Sequence, residues 1–147
     1  MCIRDSLQEV PQGQQAVFLL IDLDNFKNLN DSLGHLAGDQ ALVDVANVLK
    51  NSFCDDAIIS RFGGDEFVVF VKNIQDIKLF NRLISRLLQQ LDLYYQSEKD
   101  QINIQASIGI ALAPIDGRDM NTLYLKADKA LYQAKEGGKN RYKYYNN

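Results

Sequence analysis

Ala57-Ile58-Ile59-Ser60-Arg61-Phe62-Gly63-Gly64-Asp65-Glu66-Phe67-Val68-Val69-Phe70-Val71 sets two apolar, β-type runs on either side of a glycine pair and a carboxylate pair. The pattern predicts two strands joined by a tight glycine turn over residues 57–72. Hairpin geometry does not require Asp65 and Glu66 side by side, because adjacent like charges repel. Carboxylates next to a backbone stripped of side chains suit a metal ion or a phosphate. Gly63, Gly64, Asp65 and Glu66 are therefore the first candidate site residues.

Their counterpart lies upstream. Ala16 to Ile21 is an unbroken apolar run ending at Asp22, which reads as a strand covered on both faces. Asp22 and Asp24 are two residues apart, so an extended backbone points them to one face. Asp24 also reads as the N-cap of a short helix starting near Asn25. Asp22, by contrast, closes a buried strand with no adjacent Lys or Arg. A second helix is expected over 38–52, with Ala41, Leu42, Val45, Ala46, Leu49 and Phe53 along one side. Asp39 would fall in its first turn, where the helix dipole favours a carboxylate. Beyond the hairpin, the pattern predicts a helix over 76–95, a strand over 102–112, a helix over 121–135 stopped by Gly137-Gly138, and a short strand over 142–145. This order predicts an α/β (α+β) fold. Its central mixed sheet of about five strands is flanked by helices, with the first strand beside the hairpin. Asp22 and Asp65 would then meet at one sheet edge.

Composition narrows the chemistry. A chain of 147 residues, 46% hydrophobic and 24% charged, is sized for one globular domain. A net charge of −3 argues against nucleic acid as a partner. Two cysteines and one histidine exclude a Cys/His zinc site or a disulfide framework as organising features. No apolar run approaches the roughly 20 residues of a membrane span, and a cytoplasmic setting is expected. Carboxylates on separate strands, without His or Cys, suit a hard cation: Mg²⁺, with Mn²⁺ as a substitute. Lys27, Lys135 and Lys139 supply positive charge for phosphates, although lysines near a helix C-terminus are explained equally well by the helix dipole.

Read together, these segments resemble the GGDEF family of diguanylate cyclases. Arg61–Phe67 spells RFGGDEF. Asp22-Leu23-Asp24-Asn25-Phe26-Lys27-Asn28-Leu29-Asn30-Asp31 is similar to the family's DxDxFKxxND segment, and Gly34-His35 with Gly38-Asp39 to its GH…GD element. Ser107-Ile108-Gly109-Ile110-Ala111 is similar to the SIGIA strand. Ala127-Asp128, Tyr132-Gln133-Ala134-Lys135 and Gly138-Lys139-Asn140 are similar to the closing AD…YxAKxxGxN block.

The resemblance covers about residues 16–145 and implies a nucleotide-cyclase, palm-like fold. It implies that two GTP molecules condense into cyclic di-GMP and pyrophosphate, one GTP per domain of a homodimer. Asp22, Asp65 and Glu66, with the Leu23 carbonyl, would hold the metal, and Glu66 would hold metal or aid deprotonation of the hydroxyl. Phe26, Lys27, Lys135 and Lys139 would hold the triphosphate, and Asn30 and Asp39 would read guanine. An attached sensor or EAL phosphodiesterase domain is the expected neighbour. A non-catalytic GTP-binding module of such a tandem protein is the competing expectation. Cys54 and Ala57 stand where many members carry the RxxD product-inhibition site, so no feedback through that site is expected.

At the other end, Met1-Cys2-Ile3-Arg4-Asp5-Ser6 resembles a translated sequencing-library adapter, and residues 7–15 read as a remnant loop. The family's leading helix with its DxLTGLxNR element, which should precede Ala16, is not found. The domain is therefore expected at 16–145 without that helix.

Overall fold

The computed structural model describes residues 3–8, 10, 13–53 and 57–146. In chain order the elements are α1 (Ile3–Gln8), β1 (Gln15–Asp24), α2 (Phe26–Leu33), α3 (His35–Ser52), β2 (Ala57–Arg61), β3 (Glu66–Ile74), α4 (Ile77–Gln90), β4 (Leu93–Gln96), β5 (Gln101–Ala113), α5 (Met120–Glu136) and β6 (Tyr142–Tyr144). The six strands form one sheet in the order β2-β3-β1-β5-β4, with β6 beside β5. Every pairing is antiparallel except β5 with β6.

β1 is the centre of the sheet, and its alternation sorts the molecule into layers. Val17, Leu19, Ile21 and Leu23 face α2, α3 and α4, where they pack with Leu29, Ala41, Val45, Leu49, Phe80, Ile84 and Leu87. Ala16, Phe18 and Leu20 face the other way, against Leu123, Ala127 and Leu131 of α5 and Ile3 of α1. Burying one such side chain is worth about 1.5–3 kcal/mol, so slipping β1 by a residue would exchange both layers and put two carboxylates into apolar packing. Period two thus fixes Asp22 and Asp24 on the α5 face.

α5 lies unusually close to β5. A methyl group on Gly109 would sit 2.0 Å from the Ala127 carbonyl oxygen and 2.5 Å from the Leu131 amide, so glycine is required by this approach. Asp119 caps the helix by accepting from the Thr122 amide at 2.9 Å and hydroxyl at 2.8 Å. Asp76 caps α4 in the same way through the Lys78 and Leu79 amides.

Several expectations are corrected. The helix expected over 76–95 ends at Gln90, and Leu93–Gln96 is a sixth strand. Leu91 and Tyr95 continue the i, i+4 spacing of the helix and so disguise the break. The break itself is held by Asp92, which accepts from Asn103 and Gln105 of β5. Leu7 and Gln8 belong to helix α1 rather than a loop; Ile3 is buried against the α5 layer. α3 begins at His35, which puts Asp39 in the second turn, beyond the first-turn dipole argument. Gly63 and Gly64 lie outside the left-handed region, and the turn spans four residues, 62–65, rather than a tight pair. Cys54 lies outside the described residues. Among the described residues no helix is long and apolar enough to cross a membrane.

Candidate active site

β1 and β3 run antiparallel with Asp22 directly opposite Glu66, and the turn folds back so that the Leu23 amide donates to the Asp65 carbonyl at 3.1 Å. The two acidic segments expected to meet do meet. Asp65 faces Asp22. Burial, and then the neighbouring Asp22 carboxylate, hold the Asp65 carboxyl above its ordinary pKa of 3.8. Asp22 Oδ1 is buried with no hydrogen-bond partner.

Positive charge reaches this pair from α5. The Lys135 ammonium donates to Asp22 Oδ2 in an ion pair. Burial works against the charged ammonium, but the Asp22 hydrogen bond and the charges of Asp22, Asp24 and Asp65 outweigh it and raise its pKa. Lys139 lies just beyond α5 in a left-handed turn, with φ of 63° at Lys139 and 49° at Asn140.

Asp24 is not the helix cap. It is buried at the end of β1, where Oδ2 accepts from the Ser107 hydroxyl at 2.7 Å and from the Asn140 amide at 3.3 Å. The N-cap position of α2 belongs to Asn25, at φ 75°, and its side chain makes no capping hydrogen bond. The first amides of α2, at Phe26 and Lys27, therefore remain available to an anion. Asp24 joins this helix start to the turn carrying Lys139.

Glu66 is held differently. Its Oε1 accepts from the Tyr124 hydroxyl at 2.6 Å. That hydrogen bond, then burial, pushes the tyrosine pKa up to about 12. The Tyr124 ring stacks on Phe62 at 5.8 Å and meets Phe18 edge-on at 6.5 Å. Sequence reasoning missed Tyr124. Its spacing of eleven from Lys135, with Ala127 and Leu131 between, puts both on one face of α5.

The base-reading candidates lie on α2 and α3. Asn30 on α2 lies against Gly38 of α3, where an added methyl would fall 1.8 Å from Asn30 Oδ1. Asp39 is exposed and borders a shallow cavity of about 380 Å³ with Leu42, Val43, Ala46, Arg61 and Phe67. A methyl on Gly64 would meet nothing, and one on Gly63 would make only ordinary contact with Glu66. The fold therefore does not itself require glycine at either position, whereas a ligand approaching the turn would.

The donor set fits a hard cation. An unpartnered carboxylate oxygen on Asp22 lies beside the Asp65 carboxylate, an all-oxygen pair among the described residues. Among the described residues no three His, Cys, Asp or Glu side chains are placed to hold a metal ion together, so main-chain oxygens, nucleotide phosphates or water would have to complete the shell of the Asp22–Asp65 pair.

Residues 2–141 match the family model described as the GGDEF domain of diguanylate cyclases. The chain belongs to the GGDEF domain family. This GGDEF domain is 40% identical over 83% of its length to the cyclic di-GMP phosphodiesterase PdeR of Escherichia coli, covering 18% of that protein. It is 36% identical over 94% of its length to the bifunctional diguanylate cyclase/cyclic di-GMP phosphodiesterase MucR of Pseudomonas aeruginosa, covering 20% of it. The chain thus spans about a fifth of these relatives. Among solved structures, the active GGEEF domain of a diguanylate cyclase from Vibrio cholerae superposes with a TM-score of 0.85 at 28% identity, covering 98% of this chain and 92% of that one.

Proposed function

We propose that this GGDEF domain is a diguanylate cyclase, joining two GTP molecules into cyclic di-GMP with release of two pyrophosphates. The observation that carries the reading is the pairing of Asp22 with Asp65 at the end of β1, under an α5 lysine and beside a turn whose glycines the fold does not need. The domain unit is taken as residues 16–145.

Asp22, Asp65 and the Leu23 main chain would hold Mg²⁺, with Glu66 as a further ligand. Bound there with the nucleotide, Mg²⁺ would lower the pKa of an attacking hydroxyl and stabilise charge on the phosphates. The residues of this chain do the rest. The α2 amides at Phe26 and Lys27, with Lys135 and Lys139, hold the triphosphate. Asn30 and Asp39 read guanine: a carboxylate accepts from N1–H and the N2 amino group together, a donor pair that adenine lacks. Each 3′-hydroxyl oxygen forms a bond to the α-phosphorus of the other GTP while the bond to pyrophosphate breaks. The hydroxyl proton passes to a carboxylate of the turn. One GTP per domain requires a second copy of the chain to face the first.

A non-catalytic GTP-binding module attached to an EAL phosphodiesterase is the second reading, favoured by the 40% identity to a protein named a phosphodiesterase. Incubation with GTP and Mg²⁺, with chromatography of the products, separates them. Cyclic di-GMP should form and should vanish in Asp65→Ala; GTP binding without product supports the second reading.

A further inference from the structure

Tyr124 reaches the GGDEF turn from α5, and its contacts do two separable things. Its hydroxyl takes Glu66 Oε1 at 2.6 Å. Its ring stacks on half-exposed Phe62 and meets buried Phe18 edge-on. The Glu66 backbone is fixed as well: its carbonyl accepts from the Phe62 amide at 2.8 Å and the Gly63 amide at 3.4 Å, closing the turn. A glutamate side chain has three rotatable bonds, and on a half-exposed strand end it would otherwise sample several rotamers. Tyr124 has only two, and both are restrained by the aromatic contacts. Glu66 is thereby given a fixed orientation through Oε1, and Oε2 is the oxygen that the tyrosine does not engage.

We propose that Tyr124 is a positioning residue for the divalent cation, acting through Glu66 by occupying one carboxylate oxygen and orienting the other. The proposal rests on the reading of Asp22, Asp65 and Glu66 as the cation site. Hydrogen bonds of this outer kind raise the affinity of the ligand they orient, and removing one typically weakens metal binding about 10–100-fold.

The test is Mn²⁺ titration of the full chain in the presence of a GTP analogue with a non-cleavable α,β-bridge, followed by water-proton relaxation. Tyr124→Phe keeps both ring contacts and removes only the hydroxyl. It should weaken Mn²⁺ binding about tenfold, leave affinity for the analogue without metal unchanged, and melt close to the parent chain. Phe62→Leu, which spares the hydrogen bond, should bind Mn²⁺ within about twofold of the parent. In a Glu66→Gln background, Tyr124→Phe should cause no further loss, since its effect runs through that carboxylate. A merely structural tyrosine would add its cost in both backgrounds. Unchanged or tighter Mn²⁺ binding by Tyr124→Phe, with the parent chain binding normally, overturns this role for Tyr124 and leaves the cation site standing. A parent chain that shows no saturable Mn²⁺ binding overturns both.

Discussion

The acidic end of the candidate site and its proposed base-reading end differ in how their side chains are held. At the acidic end Asp22, Asp24, Asp65 and Glu66 stand on or beside the two central strands. Lys135, Ser107, Asn140 and Tyr124 reach them from α5, β5 and the turn beyond α5. At the other end Asp39 is exposed on α3, with Val43 exposed beside it and Asn30 only half-buried against Gly38. Carboxylates packed together repel, so the fold must offset their charge before any ligand arrives. A base, by contrast, needs an open edge to enter. Changes at the acidic end should therefore move stability and chemistry together, while changes at the base-reading end should move selectivity alone.

The sharpest way to break this contrast is Asp65→Ala. Cyclic di-GMP formation should fall by about three orders of magnitude or more, since both cation binding and charge stabilisation depend on that group. Product formation within tenfold of the parent would remove Asp65 from the chemistry. At the other end, Asp39→Ser should reduce discrimination between GTP and ATP by about 10–100-fold in competition binding. Its melting temperature should stay that of the parent; a large drop would show that Asp39 is structural after all.

Asp24→Ala tests the acidic end without touching the reactants. It leaves the fully buried Ser107 hydroxyl unpaired and frees the Asn140 amide, at a cost of about 1–3 kcal/mol in chemical denaturation. GTP affinity should fall with it, because the Lys139 turn loses its anchor to the start of α2. The smallest effect concerns pH. Burial and Asp22 raise the Asp65 pKa above 3.8, so the folded state binds the proton more tightly than the unfolded chain. Stability should then decline as pH rises from 3.8 through that raised value. Asp65→Asn, without the titration, should melt slightly above the parent at neutral pH, and the difference should close toward pH 3.8. No difference at neutral pH would show that the carboxylate repulsion is already offset.

What the sequence reveals follows from how local the physics is. The hairpin, the end of β1 and the face shared by Asp22 and Asp24 were legible because period two and apolar runs are short-range signals. The meeting of Asp22 with Asp65 followed from strand order. Strand β4 was hidden because Leu91 and Tyr95 sustain the helical spacing, and the residues that break it, Asn103 and Gln105, arrive from another strand. Asp24 was misread as a cap because its partners, Ser107 and Asn140, are 83 and 116 residues away. Tyr124 was invisible for the same reason, since its bond to Glu66 spans 58 residues and its own neighbours describe only a helix. The glycine pair was legible as a motif, but the turn takes no left-handed glycine, and a methyl at either position would meet no close neighbour.

The most direct measurement is calorimetric titration of the chain with GTP, with Mg²⁺ and then with EDTA, repeated for Asp22→Ala. Saturable GTP binding is expected with Mg²⁺, with a loss of at least about tenfold in EDTA and a comparable loss in Asp22→Ala. GTP binding equally tight in EDTA, or unaffected by Asp22→Ala, would contradict a cation-assisted nucleotide site at the meeting of β1 and β3.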